Sequence, residues 1–315
     1  MTESPAQSAN SDEDPIWVLS GPTAAGKSSL ALKLAEADGL EILSMDSMAV
    51  YRRMDIGTAK PTAEERAQVP HHLIDLVGPD RDFDTKQWCE AAAEAVAEVR
   101  SRGRQPLFVG GTPLYLMAFF KGMLEGPAAV PEIRERLLNR ERENPGCLHR
   151  ELTDRDPAAA ARIHHHDQKR LVRALEYLEI TGETISSQRQ HFDAAGWRVP
   201  CRIAAVQRER EELHDRVKAR TIAMLQAGLL GEVEAIRDSC GFSKTAAAAI
   251  GYAECLRFLS GGYKDTEELR NKIRRHTHGL IRRQTTWLRR IPEVEWIPPD
   301  TDISGLRTRF APARG

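Results

Sequence analysis

Apolar residues fall in short runs along the chain, separated by longer amphipathic stretches. The runs at 16–20, 41–44, 72–77, 106–109 and 202–206 have the length and content of buried strands. Between the first four, helical periodicity covers 27–37 and 84–102. Strands alternating with helices predict a parallel sheet with right-handed crossovers, hence an α/β layered fold. After Thr112 the pattern changes. Gly122, Gly126, Pro127 and Pro131 punctuate a boundary, as turn formers do. From 131 to about 190 the chain reads as charged helices with no strand, and the run at 202–206 resumes the earlier style. The expected organisation is a discontinuous α/β core, 15–121 and 191–300, carrying an all-helical insertion at 122–190. Residues 209–290 read as helices broken near Gly228, Gly241 and Gly261, and Ala246–Ala249 reads as helix. Val294-Glu295-Trp296-Ile297 reads as a last edge strand, stopped by Pro298-Pro299. Residues 1–14 read as a disordered tail rather than a signal peptide, and 301–315 as a C-terminal tail.

One loop in this pattern carries chemistry. Gly21-Pro22-Thr23-Ala24-Ala25-Gly26-Lys27-Ser28 fits G-x-x-x-x-G-K-S/T at every position, between an apolar strand and a helix-forming run. Its glycines let backbone N–H groups turn inward around phosphate oxygens, where the helix N-terminus adds positive dipole. Lys27 supplies a point charge for phosphate, and the Ser28 hydroxyl suits Mg2+. The loop predicts binding of a nucleotide or a diphosphate and leaves open what is transferred.

Bulk properties narrow the class. With 315 residues the chain can bury a sizeable core. Lys and Arg number 45 against 46 Asp and Glu, a net charge of -1. Any nucleic-acid contact must therefore come from local basic patches. No apolar run reaches the roughly 20 residues of a membrane span. Five scattered cysteines without zinc-ligand spacing suit a reduced, cytoplasmic protein.

Further candidates follow from position. Asp46 lies just past the carboxyl end of the 41–44 strand, on the rim where open α/β sheets bind ligands. A general base, an outer partner of Mg2+ and a turn cap all remain open for it. Val109-Gly110-Gly111-Thr112 ends another strand on that rim. Its glycines permit close backbone approach to a ligand, or simply a tight turn. Lys169, Arg170 and Arg173 lie within a turn and a half of helix, suited to phosphate contacts or to a solvated face. His164-His165-His166 do not read as a metal site, because consecutive residues diverge and no Cys or carboxylate completes the set. Arg270 to Arg290 holds eight cationic residues and no acid, threaded by Ile273, Leu280, Ile281, Trp287 and Leu288. Such a helix suits docking on the core with cations turned to a nucleic-acid backbone; amphipathic membrane binding is the rival.

Taken together, these motifs resemble the tRNA dimethylallyltransferases, over roughly residues 17–296. The marks are the loop at 21–28, Ser44-Met45-Asp46-Ser47-Met48-Ala49-Val50-Tyr51, Asp55-Ile56-Gly57-Thr58-Ala59-Lys60-Pro61, Gly110-Gly111-Thr112-Pro113-Leu114-Tyr115, Arg170-Leu171-Val172-Arg173-Ala174-Leu175-Glu176, Ile250-Gly251-Tyr252 and Arg283-Gln284-Thr285-Thr286-Trp287-Leu288-Arg289. The resemblance implies a P-loop NTPase-like core and transfer of a dimethylallyl group from dimethylallyl diphosphate to N6 of adenosine at tRNA position 37. It implies that the 21–28 loop holds the diphosphate with Mg2+ at Ser28, that Asp46 is the general base, and that Arg220 steadies the departing diphosphate. Thr112 and Arg134 match positions contacting tRNA, and Thr112 belongs to the catalytic set. Asp46, Ser47, Met48 and Ala49, with Lys169, Arg170, Leu171, Val172 and Arg173, match tRNA-contacting segments. The insertion would close over the anticodon stem-loop, and the protein would act as a cytoplasmic monomer of the bacterial form, without a zinc finger. Ala253 departs from the pattern, standing where a basic residue is expected. Rival readings are a small-molecule P-loop kinase, an AMP isopentenyltransferase and a non-catalytic nucleotide or RNA-binding module.

Overall fold

Five apolar runs become strands of one sheet in the computed structural model, which describes residues 14–123, 126–194 and 196–310. In chain order the elements begin with β1 (Ile16–Ser20), α1 (Lys27–Asp38), β2 (Glu41–Ser44), α2 (Ala63–Gln68), β3 (His71–His72), α3 (Thr85–Ser101), β4 (Pro106–Val109) and α4 (Pro113–Phe120). A helical stretch follows: α5 (Pro131–Glu143), α6 (Cys147–Arg155), α7 (Pro157–Ala160), α8 (Gln168–Thr181) and α9 (Ile185–Ala194). The chain then forms β5 (Cys201–Val206), α10 (Arg210–Gln226), α11 (Leu229–Arg237), α12 (Lys244–Ala247), α13 (Tyr252–Leu259), α14 (Thr266–Leu288), β6 (Val294–Ile297) and α15 (Ile303–Phe310).

The sheet has the order β3-β2-β4-β1-β5-β6, and every pairing in it is parallel. Parallel strands covered by helices on both faces must be apolar throughout, and Val18, Leu19, Leu43, Leu107 and Phe108 are fully buried. The residues that follow β1, β2 and β4 leave the sheet at its carboxyl end, which places the 21–28 loop, Asp46 and Gly110–Thr112 on one rim. α1 ends where Gly39 adopts φ 64° and donates its N–H to Ala35. α3 starts at a reciprocal cap between Asp84 and Gln87. Among the described residues no helix is long and apolar enough to cross a membrane.

Three expectations about these elements need correction. The 72–77 run is not a strand beyond His72. Leu73 and Asp75 take positive φ, 63° and 58°, and only Val77 returns to a single bridge with Tyr51. The Asp75 carboxylate is drawn instead to Lys60 and Arg66. The alanine stretch is helical only to Ala247, because the chain turns before Gly251 at φ 95°. The 301–315 segment is not wholly a tail: α15 buries Leu306 and Phe310, and Phe310 stacks on Trp17 at 4.9 Å. Each such burial contributes roughly 1.5–3 kcal/mol by transfer from water. Residues 1–13 and 311–315 lie outside the described residues.

The chain divides into two compact units. One comprises the described residues up to Phe120 and from Val199 onward; the other is Lys121–Arg198. The second unit is purely helical and runs past the expected boundary at 190, because α9 packs on α7 and α8 and the chain rejoins the sheet only at β5. Its core is Leu137, Leu148, Leu152, Leu171, Val172 and Leu175 with their neighbours.

Candidate active site

The 21–28 loop is shaped by alternating backbone hands. Gly21, Ala24 and Gly26 take φ 136°, 66° and 98°. Positive φ at a residue with a Cβ costs about 1–3 kcal/mol and persists only where neighbours hold it. Here two arginines hold it. Arg216 Nε donates to the Ala24 carbonyl at 2.6 Å, and Arg208 Nε to the Ala25 carbonyl at 2.7 Å. The Thr23 N–H goes to Gln284 and the Ala25 N–H to the Pro22 carbonyl, and the N–H groups from Gly26 onward are left to form an anion nest at the start of α1. A Cβ on Gly21 would meet the Val206 carbonyl oxygen at 2.9 Å, so only glycine lets the loop lie against the end of β5.

Charges converge on this nest. Lys27 Nζ lies 3.3 Å from the Pro22 carbonyl. Burial pushes its pKa down to about 8; the Asp46 carboxylate opposes that shift and the Arg220 guanidinium adds to it. Arg220 is itself pushed below the usual arginine range by burial, again opposed by Asp46. It reaches Thr23 Oγ1 at 3.2 Å and the Thr58 carbonyl at 3.5 Å. Two desolvated cations thus face one carboxylate. Such a set is incomplete without an anion.

The acceptor side is built from the residues after β2 and β4. Asp46 Oδ1 accepts the Met48 N–H at 2.8 Å, which caps the turn. Its Oδ2 meets no hydrogen-bond donor among the described residues. Thr112 Oγ1 accepts the Ser47 N–H at 3.3 Å, so Thr112 and the Asp46–Met48 turn are tied together. Ala49 is buried, leaving Asp46, Ser47 and Met48 as the accessible part of that segment. The paired glycines approach protein rather than ligand: a Cβ on Gly110 would lie 2.1 Å from the Met45 carbonyl oxygen. A cavity of about 670 Å³ opens against Gly26, Ser29, Arg208 and Arg216. Neither Asp46 nor Thr112 lines it, so it is distinct from the acceptor side.

Several residues that build the site had no role assigned from the sequence, although most stand in the motifs quoted above. The Asp55–Pro61 run folds as a knot around the Lys60 ammonium, which is 1% exposed and bonds Tyr51 O, Asp55 and Asp75 at 2.6–2.7 Å. Glu232 accepts the N–H groups of Asp55 and Ile56 and the Tyr252 hydroxyl. Together they deliver the Thr58 carbonyl to Arg220. Gln284 of α14 is buried and bonds Thr23 and Gly111. Its signal was available: Ile281, Gln284 and Leu288 form one helical seam, and Gln284 is the polar member. Trp287, expected in that seam, is 39% exposed; the buried seam is Leu269, Ile273, Ile281 and Leu288.

The helical unit holds the other candidates. Leu171 and Val172 are core residues, so they offer no surface to RNA. Lys169 and Arg170 are exposed, and Arg170 pairs only loosely with Asp167 at 3.4 Å. Arg134 and Arg173 both grip Glu176, which is fully buried and also accepts the Val130 N–H. Burial alone would raise the Glu176 pKa, but these bonds outweigh it and hold it down to about 2. Removing one partner of such a buried cluster is costly. Glu176→Ala is expected to destabilise the helical unit by roughly 3–5 kcal/mol in urea titrations near pH 7. Because the folded pKa lies below the ordinary 4.5, the contribution is complete above that value and is lost as pH falls through about 2. The gap between wild type and variant should therefore narrow from pH 5 to pH 2.

Comparison with known proteins agrees with this geometry. The sequence profile described as IPP transferase matches residues 49–291, and one described as isopentenyl transferase matches 15–75. A tRNA dimethylallyltransferase of Methylococcus capsulatus is 43% identical over 303 residues, covering 94% of this chain and 96% of that protein. The tRNA dimethylallyltransferase 2 of Syntrophus aciditrophicus is 41% identical over 297 residues, covering 93% and 94%. The crystal structure of the tRNA isopentenylpyrophosphate transferase of Bacillus halodurans superposes with a TM-score of 0.69 at 32% identity, covering 95% of this chain and 97% of that one. With a profile match across most of its length and relatives of this identity, the chain belongs to the IPP transferase family of prenyl-transferring enzymes.

Proposed function

We propose that this chain transfers a dimethylallyl group from dimethylallyl diphosphate to N6 of adenosine 37, beside the anticodon of tRNAs that read codons beginning with U. The observation that carries the reading is the convergence of Lys27, Arg220 and an N–H nest on one side of Asp46, with Thr112 tied to the same turn. The relatives' names, which specify tRNA and a dimethylallyl group, point the same way.

Physical chemistry connects the parts. The C1–O bond of an allylic diphosphate breaks readily once the leaving group's charge is neutralised. Lys27, Arg220 and the loop N–H groups neutralise it without reorganising. N6 of adenine is a weak nucleophile and attacks C1 as that bond breaks. The C1–N6 bond forms and the nitrogen becomes cationic. Its proton passes to Asp46 Oδ2, and diphosphate leaves toward Lys27 and Arg220. The target base must leave its stack to reach the rim, which is cheapest in a single-stranded loop.

The residues present fit Mg2+ held in part by substrate. Ser28 offers a hydroxyl oxygen at the exposed start of α1, and no group of three or more His, Cys, Asp or Glu suited to a metal occurs among the described residues. Mg2+ typically takes few protein ligands and completes its shell with phosphate oxygens and water. Bound beside Ser28, it would supply further charge neutralisation to the leaving diphosphate. Of the four cations expected to contact RNA from the helical unit, Lys169 and Arg170 are the two left to meet phosphates, since Arg134 and Arg173 are engaged by Glu176.

The test is product chemistry. Purified protein, dimethylallyl diphosphate, Mg2+ and an anticodon stem-loop with A37 should yield N6-(dimethylallyl)adenosine and one diphosphate per modified base. Modification of AMP in preference to the stem-loop, or ADP release from ATP with a small acceptor, would replace this reading with an AMP prenyltransferase or a kinase.

A further inference from the structure

We propose that Gln284 is a positioning residue for this transfer, its single amide setting the spacing between the diphosphate loop and the acceptor loop. The inference rests on the transfer reading above. Gln284 Oε1 accepts the Thr23 N–H at 2.8 Å, and Nε2 donates to the Gly111 carbonyl at 2.6 Å. The side chain is 7% exposed, so both bonds are made out of water and each enforces geometry. The fit leaves no slack. A Cβ on Gly111 would lie 2.5 Å from Gln284 Nε2 and 2.9 Å from the Gly21 carbonyl oxygen.

Each end of the bridge leads to a reacting group. Thr23 Oγ1 receives Arg220 Nη1 at 3.2 Å, on the leaving-group side. Gly111 precedes Thr112, whose hydroxyl accepts the Ser47 N–H next to Asp46, on the acceptor side. Thr23, which meets Arg220 of α10, and Gly111, which leads through Thr112 to the Asp46 turn, therefore sit on two loops whose separation is measured by one glutamine. A misplacement of about 1 Å between reacting groups can cost ~10²-fold in rate. Gln284 touches neither substrate in this scheme and acts through Thr23 and Gly111. Around the same stretch of helix Arg282, Arg283 and Trp287 are exposed, so α14 spans from the exposed basic surface to the inter-loop bridge.

Gln284→Met keeps the volume and removes both hydrogen bonds. It leaves the Thr23 N–H and the Gly111 carbonyl unbonded, so it is expected to melt below the wild-type temperature while staying folded at the assay temperature, and to bind dimethylallyl diphosphate and the anticodon stem-loop, each alone, within about threefold of wild type. Its single-turnover rate with both should fall on the order of 10²-fold. A purely structural residue would show that stability loss with an unchanged rate in the folded fraction. A wild-type rate in the Met variant, or a loss wholly accounted for by weaker binding of one substrate, overturns the proposal. Should the Met variant fail to fold, Gln284→Glu carries the test. It keeps the acceptor for Thr23 and sets an oxygen against the Gly111 carbonyl, so the single-turnover rate at saturating dimethylallyl diphosphate must fall, and a wild-type rate rejects the role. Wild-type protein run in parallel separates the two levels. No product there refutes the transfer reading and this inference together, whereas product there with an unimpaired variant refutes only the role of Gln284.

Discussion

Asp46→Asn is expected to slow single-turnover prenyl transfer by roughly 10²–10⁴-fold, the usual cost of removing a general base. Asparagine is the informative choice because it retains the Oδ1 acceptor that caps the turn at Met48. Folding, and the Ser47–Thr112 bond, should therefore survive. What disappears is the basicity of the second oxygen, which meets no donor among the described residues and is left for the N6 proton. Affinity for the anticodon stem-loop should stay within a few-fold of wild type, because no backbone contact is lost. A variant that turns over at nearly the native rate would show that the proton leaves by another route and that Asp46 is only a turn cap.

Lys27→Met separates binding from stability in opposite directions. The ammonium is desolvated and sits near Arg220, so in the protein without ligand it is a cost that the Asp46 carboxylate and a long bond to the Pro22 carbonyl offset only in part. Its removal should raise the melting temperature of the free protein at pH 7. The same change should lower turnover by about 10²–10³-fold, the range seen when one preorganised stabiliser of developing charge is removed. The pH dependence has a definite sign. The folded pKa of about 8 lies below the ordinary 10.5, so between those values the unfolded chain binds more protons, and stability of the free protein rises with pH across that window. Catalytic capture runs the other way. The kcat/KM for dimethylallyl diphosphate, which reports the free enzyme, should fall as pH rises through about 8. A flat profile from pH 7 to 9.5, or a Met variant that is both destabilised and active, would remove Lys27 from the leaving-group site.

Strand periodicity made much of the sheet legible. The runs at 16–20, 41–44, 106–109 and 294–297 coincide with β1, β2, β4 and β6, and 202–206 falls one residue inside β5. Each is short and apolar and needs only to be buried between helices. The 72–77 run misled for a local reason. Its apolar residues are interrupted by Asp75, whose carboxylate finds Lys60 and Arg66, and the backbone turns to reach them. The C-terminal helix was missed because Leu306 and Phe310 are too few to announce a stripe; they are buried only because Trp17 and α1 lie opposite. Leu171 and Val172 show the converse error. Their place within a basic cluster suggested contact with RNA, but helical phase turns them into the core of their own unit.

The residues alone point to the class of ligand proposed above. A strand–loop–helix unit with Gly26-Lys27-Ser28 at its helix start suits phosphate, because the groups that would hold it are backbone N–H donors and the side chains beside them. The rest of the site belongs to the tertiary structure. Arg208, Arg216 and Arg220 stand about 180–200 residues from the loop carbonyls and hydroxyl they meet, and Gln284 stands 261 residues from Thr23. No local pattern announces such partners, since an arginine on an amphipathic helix reads as solvated until another element covers it. Only the parallel order of the strands, which gathers the ends of β1, β2 and β4 on one rim, turns separate polar residues into two desolvated cations facing a carboxylate. Burial then does the chemical work: it lowers the Lys27 pKa and leaves a net positive cluster that an anion completes.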